Sequence, residues 1–346
     1  MEHEIDRLTV TSTDLAVPRP SGKVQCAACS HRCKVAPGKR GICRVRFVAD
    51  GGLRVPWGYT GGVAVDPIEK KPFFHVRPGC GALSFGMIGC DMHCAFCQNW
   101  LSAHALRDGR PIPRVQPTSV EQLVSAARAS GCEALISTYN EPLISAEWAH
   151  AVFARAKEHG LLTGLVSNGH GTPEVLDYLR PVTDLFKVDL KAFREASYRQ
   201  LGGHLRAVTE TIAGILERGF WLEVVTLVVP EFNDSAEELR DMASFLAGLS
   251  RDIPWHVTAF HPDYQMTDRG RTPAATLARA RAIGLDQGLR FVYAGNLPGA
   301  LRHGEDTLCP GCGEVLVERV GFTVTSNRLT VSGTCSRCGT EIPGAW

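Results

Sequence analysis

Residues 82–100 read ALSFGMIGCDMHCAFCQNW. An apolar run of strand length, Ala82–Ile88, empties directly into three cysteines, Cys90, Cys94 and Cys97, spaced C-x3-C-x2-C. Three thiolates are one short of a closed four-cysteine site. Two chemistries fit that shortfall. One is a [4Fe–4S] cluster whose fourth iron stays open to a substrate or cofactor. The other is a catalytic zinc with an open coordination position.

The stretch also opens a repeat. Further apolar runs of strand length follow at Ala134–Tyr139, Leu161–Ser167, Leu185–Asp189, Trp221–Val229 and Trp255–Phe260, with a shorter one at Phe291–Ala294. Between them lie segments with apolar spacing near 3.6: Ser119–Ser130, Ala146–His159, Glu174–Leu179, Ala207–Arg218, Ser235–Leu249 and Pro273–Gln287. Ser119 and Gln122 are placed as a capping box. Alternating strand and helix predicts an α/β fold with a parallel sheet. An open doubly wound sheet and a full or partial (β/α) barrel both satisfy it. In either, chemistry sits at the carboxyl ends of the strands. The runs do end in hydrogen-bonding residues: Asn140 and Glu141, Ser167 and Asn168, Asp189 and Lys191, Glu231, and His261.

The remaining cysteines divide the chain into head, body and tail. There are 13 in all. The tail carries Cys309, Cys312, Cys335 and Cys338 as two Cys-x-x-Cys-Gly knuckles, CPGCG and CSRCG. Two short β runs around Ser326-Asn327 would join them into a zinc ribbon with four thiolates on one ion. Arg319, Arg328 and Arg337 are offset there by Glu314, Glu318 and Glu341, which favours a structural role. The head packs Cys26, Cys29, Cys33 and Cys43 into CAACSHRCKVAPGKRGIC, where zinc and an iron–sulfur cluster both fit, zinc being favoured. His31 reads as a surface side chain, and Cys80 and Cys132 as buried free thiols. Residues 1–79 form the head and lead-in, 80–300 the body and 301–346 the tail.

Composition closes off other classes. Lys plus Arg is 37 and Asp plus Glu 36 in 346 residues, so no global charge draws the chain to nucleic acid or an anionic membrane. No run approaches the ~18–20 apolar residues of a membrane span. The acidic, polar start MEHEIDRLTVTSTD is not a secretory signal. A cytoplasmic protein is expected, where clustered cysteines signal metal or redox chemistry.

The loop GCDMHCAFCQNW resembles the cluster loop of the radical S-adenosylmethionine (SAM) superfamily. CAACSHRCKVAPGKRGICRVR, VDPIEKKPFFH, TYNEP, SNG, VDLK, WHVTAFHPDY, YAGN and the terminal CxxCG pairs are similar in order and spacing to AmmeMemoRadiSam-system radical SAM enzymes, relatives of the glycyl-radical-enzyme activases. The resemblance implies a partial (β/α)6 barrel. It implies a [4Fe–4S] cluster on Cys90, Cys94 and Cys97, and reductive cleavage of SAM to methionine and a 5′-deoxyadenosyl radical. It places Asn140, Glu141, Ser167, Asn168, Asp189, Lys191 and His261 around SAM. Tyr139-Asn140-Glu141 replaces the common Gly-Gly-Glu, and Val166 stands where activases often carry Asp. A low-potential flavodoxin or ferredoxin is the implied electron donor.

Two residues bear on the substrate. Alternation along the fourth strand puts Lys187 on the same face as Asp189 and Lys191. An interior lysine needs an anion: Asp189, or a substrate carboxylate or phosphate. Glu231 follows Pro230 where relatives place Gly, and either bonds a substrate hydroxyl or faces solvent. The favoured expectation is hydrogen abstraction from a small anionic molecule, such as a sugar or nucleoside, leading to decarboxylation, dehydration or epimerisation. An activase acting on a protein is the alternative. A zinc-ribbon adaptor with an inactive barrel is the third reading.

Overall fold

The structure, a computed structural model, describes residues 4–109 and 111–346. Seven strands carry the body: β1 (Gly81–Gly86), β2 (Ala134–Ser137), β3 (Leu162–Ser167), β4 (Leu185–Asp189), β5 (Trp221–Val228), β6 (Trp255–Ala259) and β7 (Val292–Gly295). One main helix separates each pair: α1 (Val120–Ala129), α2 (Ala146–Lys157), α3 (Pro173–Leu179), α4 (Leu205–Glu217), α5 (Ala236–Leu249) and α6 (Ala274–Asp286). That makes six βα repeats and a closing strand. Every residue of β2 and of β6 is buried, as expected of strands covered on both faces.

The helix starts follow local chemistry. Ser119 accepts from Gln122 N while Gln122 Oε1 accepts from Ser119 N, completing the capping box. Thr172 caps α3, with Pro173 in the first turn, and Ser235 caps α5 by accepting from Glu238 N. A short helix at Glu195–Gln200 was not marked by the periodicity.

Packing divides the chain into two compact units. The first comprises the chain through Asp66, Gly81–Phe186 and Arg199–Phe220. The second comprises Pro67–Cys80, Lys187–Tyr198 and Trp221–Trp346. In the first, β1, β2 and β3 lie side by side in chain order, all parallel, with Ala82 opposite Ala134 and Ala134 opposite Leu162. In the second, β5, β6 and β7 do the same, with Val224 opposite Trp255 and Trp255 opposite Val292. Strands added one after another in one direction wind a barrel, whereas a doubly wound sheet reverses its order at a switch point. The fold is therefore α/β with the parallel sheet of a partial barrel.

The head cysteines and the strands around them, through Asp66, belong to the first unit, while the rest of the lead-in, Pro67–Cys80, belongs to the second. The head strands Ala16–Pro18, Val24–Cys26 and Lys34–Val35 are antiparallel. Phe47–Ala49 and Gly52–Pro56 form a hairpin whose turn residues, Asp50 and Gly51, both have positive φ, as a two-residue hairpin turn requires. Buried Arg46 makes a two-pronged ion pair with Glu147 on α2 at 2.6 and 2.7 Å.

The tail belongs to the second unit. Thr307–Leu308, Val315–Val320 and Thr323–Asn327 form an antiparallel sheet. The hairpin turns at Gly321-Phe322, not at Ser326-Asn327 as the sequence suggested; Ser326 and Asn327 pair with Glu318 and Val317. Gly321 has φ +62°, which explains the shift: glycine takes this left-handed turn without strain. Leu316, Val317, Cys309, Cys335 and Ile342 share one apolar core with Phe74, Phe291 and Tyr293.

Candidate active site

Three parallel strands of the first unit carry their C-terminal residues to one edge. The cluster loop leaves β1 through Gly89, at φ +101°, where a Cβ would lie 2.9 Å from Val45. Cys94 is buried, Cys90 and Cys97 are partly exposed, and none is in a disulfide. His93 N donates to Leu201 O at 2.9 Å, and Gly202-Gly203 pass over the loop. A Cβ on Gly202 would strike the His93 ring, and one on Gly203 would lie 2.5 Å from Met92 Cε.

The ends of β2 and β3 form a connected network beside this loop. Asn140 Oδ1 accepts from Met87 N at 2.9 Å and its Nδ2 donates to Glu141 O at 3.1 Å. Glu141 Oε1 accepts from Ser167 Oγ at 2.7 Å and Leu143 N at 3.1 Å. Its Oε2 accepts from Asn168 N at 2.7 Å. Both carboxylate oxygens are thus engaged in shaping the Ser167-Asn168 turn. Burial and the neighbouring Asp91 charge raise the Glu141 carboxyl to about 8.

Asn168 Nδ2 donates to Asp91 Oδ1 at 2.7 Å and lies 3.9 Å from Cys90 Sγ. The structure therefore brings Cys90, Asn140, Glu141, Ser167 and Asn168 together. It adds two residues that sequence reading missed. Asp91 and His170 have fully buried side chains, paired Oδ2 to Nδ1 at 2.9 Å. Burial opposes the Asp91 charge, but bonds from His170 and Asn168 hold its carboxyl below the usual range. The available signal was position alone: one follows Cys90, the other follows Ser167-Asn168-Gly169. His31, expected at the surface, is half-buried. Its ring stands edge-on to His170 at 4.7 Å, with Nε2 3.2 Å from Asp91 O.

In the second unit, Lys187 and Lys191 both bond Asp189, the latter at 3.1 Å. Lys187 is buried. Burial works against the Asp189 charge, and the two ammonium groups overcome it, bringing its carboxyl to about 2. Leu190 N donates to Val225 O at 2.9 Å, fixing this strand end beside β5. Glu231 is exposed with φ +62°, and its N–H is taken by Asp234 at 2.9 Å. Glycine takes such a left-handed backbone without strain, and glutamate here does not. His261 follows β6 and is partly exposed.

The tail sulfurs converge: Cys309 to Cys338 at 3.6 Å and Cys312 to Cys335 at 3.7 Å. Gly313 and Gly339, each after a second knuckle cysteine, have φ +73° and +74°. The four form a set whose ligand atoms all lie within 4.8 Å, as one ion requires. Arg328 and Arg337 pair with Glu314 at 3.0 Å, and Arg319 is buried against Glu69.

The donor set of Cys90, Cys94 and Cys97 suits a cluster better than one ion. Thiolates on a cluster bind different irons and stand apart. Among the described residues these three do not converge within 4.8 Å as the tail four do.

The sequence profile of the Radical SAM superfamily matches residues 86–246. An uncharacterized protein of Methanocaldococcus jannaschii is 36% identical over 92% of this chain and 95% of its own length. A 7-carboxy-7-deazaguanine synthase of Thermococcus kodakarensis is 28% identical over 47% of this chain and 68% of its own. The pyruvate formate-lyase 1-activating enzyme of Escherichia coli K12 is 26% identical over 53% and 77%. Cluster loop, strand-end network, βα winding and these matches agree, and the chain belongs to the radical SAM superfamily.

Proposed function

We propose that this chain is a radical SAM enzyme of the AmmeMemoRadiSam-system type, acting on a small anionic substrate. The observation that carries the reading is the buried network joining Cys90, Asn168, Ser167 and Glu141 at the ends of three parallel strands. The chemistry that a [4Fe–4S] cluster and SAM supply when bound is one-electron cleavage of SAM, with the resulting 5′-deoxyadenosyl radical abstracting hydrogen from the substrate.

The protein's own contribution is positional. Cys90, Cys94 and Cys97 would hold the cluster. Glu141 holds Ser167 and Asn168 in the turn that faces the cluster loop, and Asn140, Glu141, Ser167 and Asn168 are the candidate SAM contacts. Asp189, Lys191 and His261 are further residues that the resemblance to the family assigns to SAM. What supports an anionic substrate is a buried lysine, Lys187, on the strand face that carries Asp189 and Lys191. Glu231 is a weaker candidate for a substrate hydroxyl. Zinc on Cys309, Cys312, Cys335 and Cys338 would stabilise the tail. The reductant would be a flavodoxin or ferredoxin, and the setting cytoplasmic; no helix among the described residues is long and apolar enough to cross a membrane.

The test uses anaerobic protein reconstituted with iron and sulfide. SAM and dithionite are added and 5′-deoxyadenosine is measured by mass spectrometry, beside Cys94→Ala. Product from the wild type alone supports the reading; none from a protein with a demonstrated [4Fe–4S] cluster overturns it. Anionic sugars and nucleosides are then screened for deuterium transfer into 5′-deoxyadenosine. Transfer from none of them, with a radical instead detected on a protein, would favour the activase reading that the name of the Escherichia coli relative suggests.

A further inference from the structure

The head cysteines press against the cluster loop from behind. Arg107 Nη2 donates at 3.1 Å to three carbonyls, those of Ile42, Cys90 and Asp91, and so bolts the residue before Cys43 to the loop. A Cβ on Gly89 would lie 3.2 Å from Cys43 O, so backbone meets backbone there. The His31 ring, two residues after Cys29, reaches the Asp91 carbonyl at 3.2 Å.

The four head cysteines are one neighbourhood. Cys26 N donates to Cys33 O at 2.9 Å, Arg32 N donates to Cys29 O at 3.0 Å, and Ile42 N, beside Cys43, donates to Cys33 Sγ at 3.5 Å. Cys26, Cys29 and Cys43 are buried. Arg46, three residues after Cys43, is buried and spends its charge on Glu147. The spacing of the sulfurs distinguishes this site from the tail. Tail sulfurs draw within 4.8 Å of one another, and among the described residues the head four do not. They behave as Cys90, Cys94 and Cys97 do. One tetrahedral ion needs convergent sulfurs; a cubane needs separated ones.

We propose that Cys26, Cys29, Cys33 and Cys43 hold a second [4Fe–4S] cluster, which relays electrons to the cluster on Cys90, Cys94 and Cys97. A low-potential one-electron donor of the flavodoxin or ferredoxin class reduces the head cluster. The head cluster is reoxidised as it passes that electron to the loop cluster. The relay rests on the radical SAM reading, whereas the metal content of the head does not.

The experiment is metal and sulfide analysis of full-length, anaerobically reconstituted protein, with electron paramagnetic resonance after dithionite. The expected wild type holds about eight irons and one zinc, and the reduced protein about two cluster spins. Cys29→Ser and, separately, Cys43→Ser should keep the zinc and lose about half of the iron and one spin. About four irons with two zincs, or about four irons with one, overturns the proposal, as does a full iron complement in both variants. Eight irons without 5′-deoxyadenosine formation would sink the SAM reading and leave the head cluster standing.

Discussion

Breaking the Arg46–Glu147 pair should destabilise the first unit by a large fraction of its stability. The side chains are 2% and 5% exposed. Two guanidinium nitrogens reach the two carboxylate oxygens at 2.6 and 2.7 Å, Ser12 Oγ adds a third bond at 2.6 Å, and Arg46 also donates to Ile144 O at 3.1 Å. Glu147→Ala leaves the guanidinium buried with only the Ile144 carbonyl of these partners. An uncompensated buried charge costs about 3–5 kcal/mol, against total stabilities of about 5–15 kcal/mol. Arg46→Met strands the carboxylate on Ser12 and should cost a similar amount. The double variant Arg46→Met/Glu147→Leu removes both charges at similar volume and should return to within about 2 kcal/mol of wild type. Anaerobic urea unfolding of the four proteins, at equal metal content, completes the cycle. Burial works against the Glu147 charge but Arg46 outweighs it, so the folded carboxyl lies below its ordinary 4.5. The pair's stabilisation is therefore present above that value and lost as pH falls through the lowered one. Single variants within 1 kcal/mol of wild type, or a double variant costing the sum, would refute the reasoning.

Three further outcomes are expected. His75 is buried, with Nδ1–H donating to Pro343 O and Nε2 accepting from Tyr293, both at 2.6 Å; burial lowers it to about 4 from 6.5. The neutral ring's stabilisation is present above pH 6.5 and lost on acidification, so about 3 kcal/mol should disappear between pH 6.5 and 4, and His75→Gln should flatten that slope in urea titrations. Asn168→Ala removes the bond to Asp91 at the edge of the cluster loop and should slow 5′-deoxyadenosine formation by about tenfold or more with iron content retained; an unaltered rate would remove Asn168 from the site. Gly202→Ala meets both a positive φ of +79° and the His93 ring, so it should cost more than about 1 kcal/mol and lower iron retention; wild-type iron content at wild-type stability would show that the Gly202-Gly203 segment does not hold the loop.

Much of the fold was legible because helix and strand periods are local. The capping box at Ser119 and the glycines after each tail knuckle are decided within a few residues. The tail hairpin was misplaced because Ser326-Asn327 and Gly321-Phe322 both carry turn chemistry, and only strand pairing decides between them. Asp91, His170 and His31 were illegible for another reason. A single aspartate or histidine carries no period, and its burial depends on segments far apart in the chain meeting at one point.

The sequence by itself determined the chemistry available. Three cysteines spaced to leave one iron open, polar strand ends in a βα repeat, and four knuckle cysteines are properties of order and spacing. Tertiary structure decided what those groups do. It turned Glu141 inward, where three donors occupy its carboxylate, and shared Asp189 between two lysines. It also set the head cysteines against the back of the cluster loop. Each of these outcomes depends on burial and on partners supplied from distant segments, and a buried polar group takes its role from whichever partner the packing brings to it.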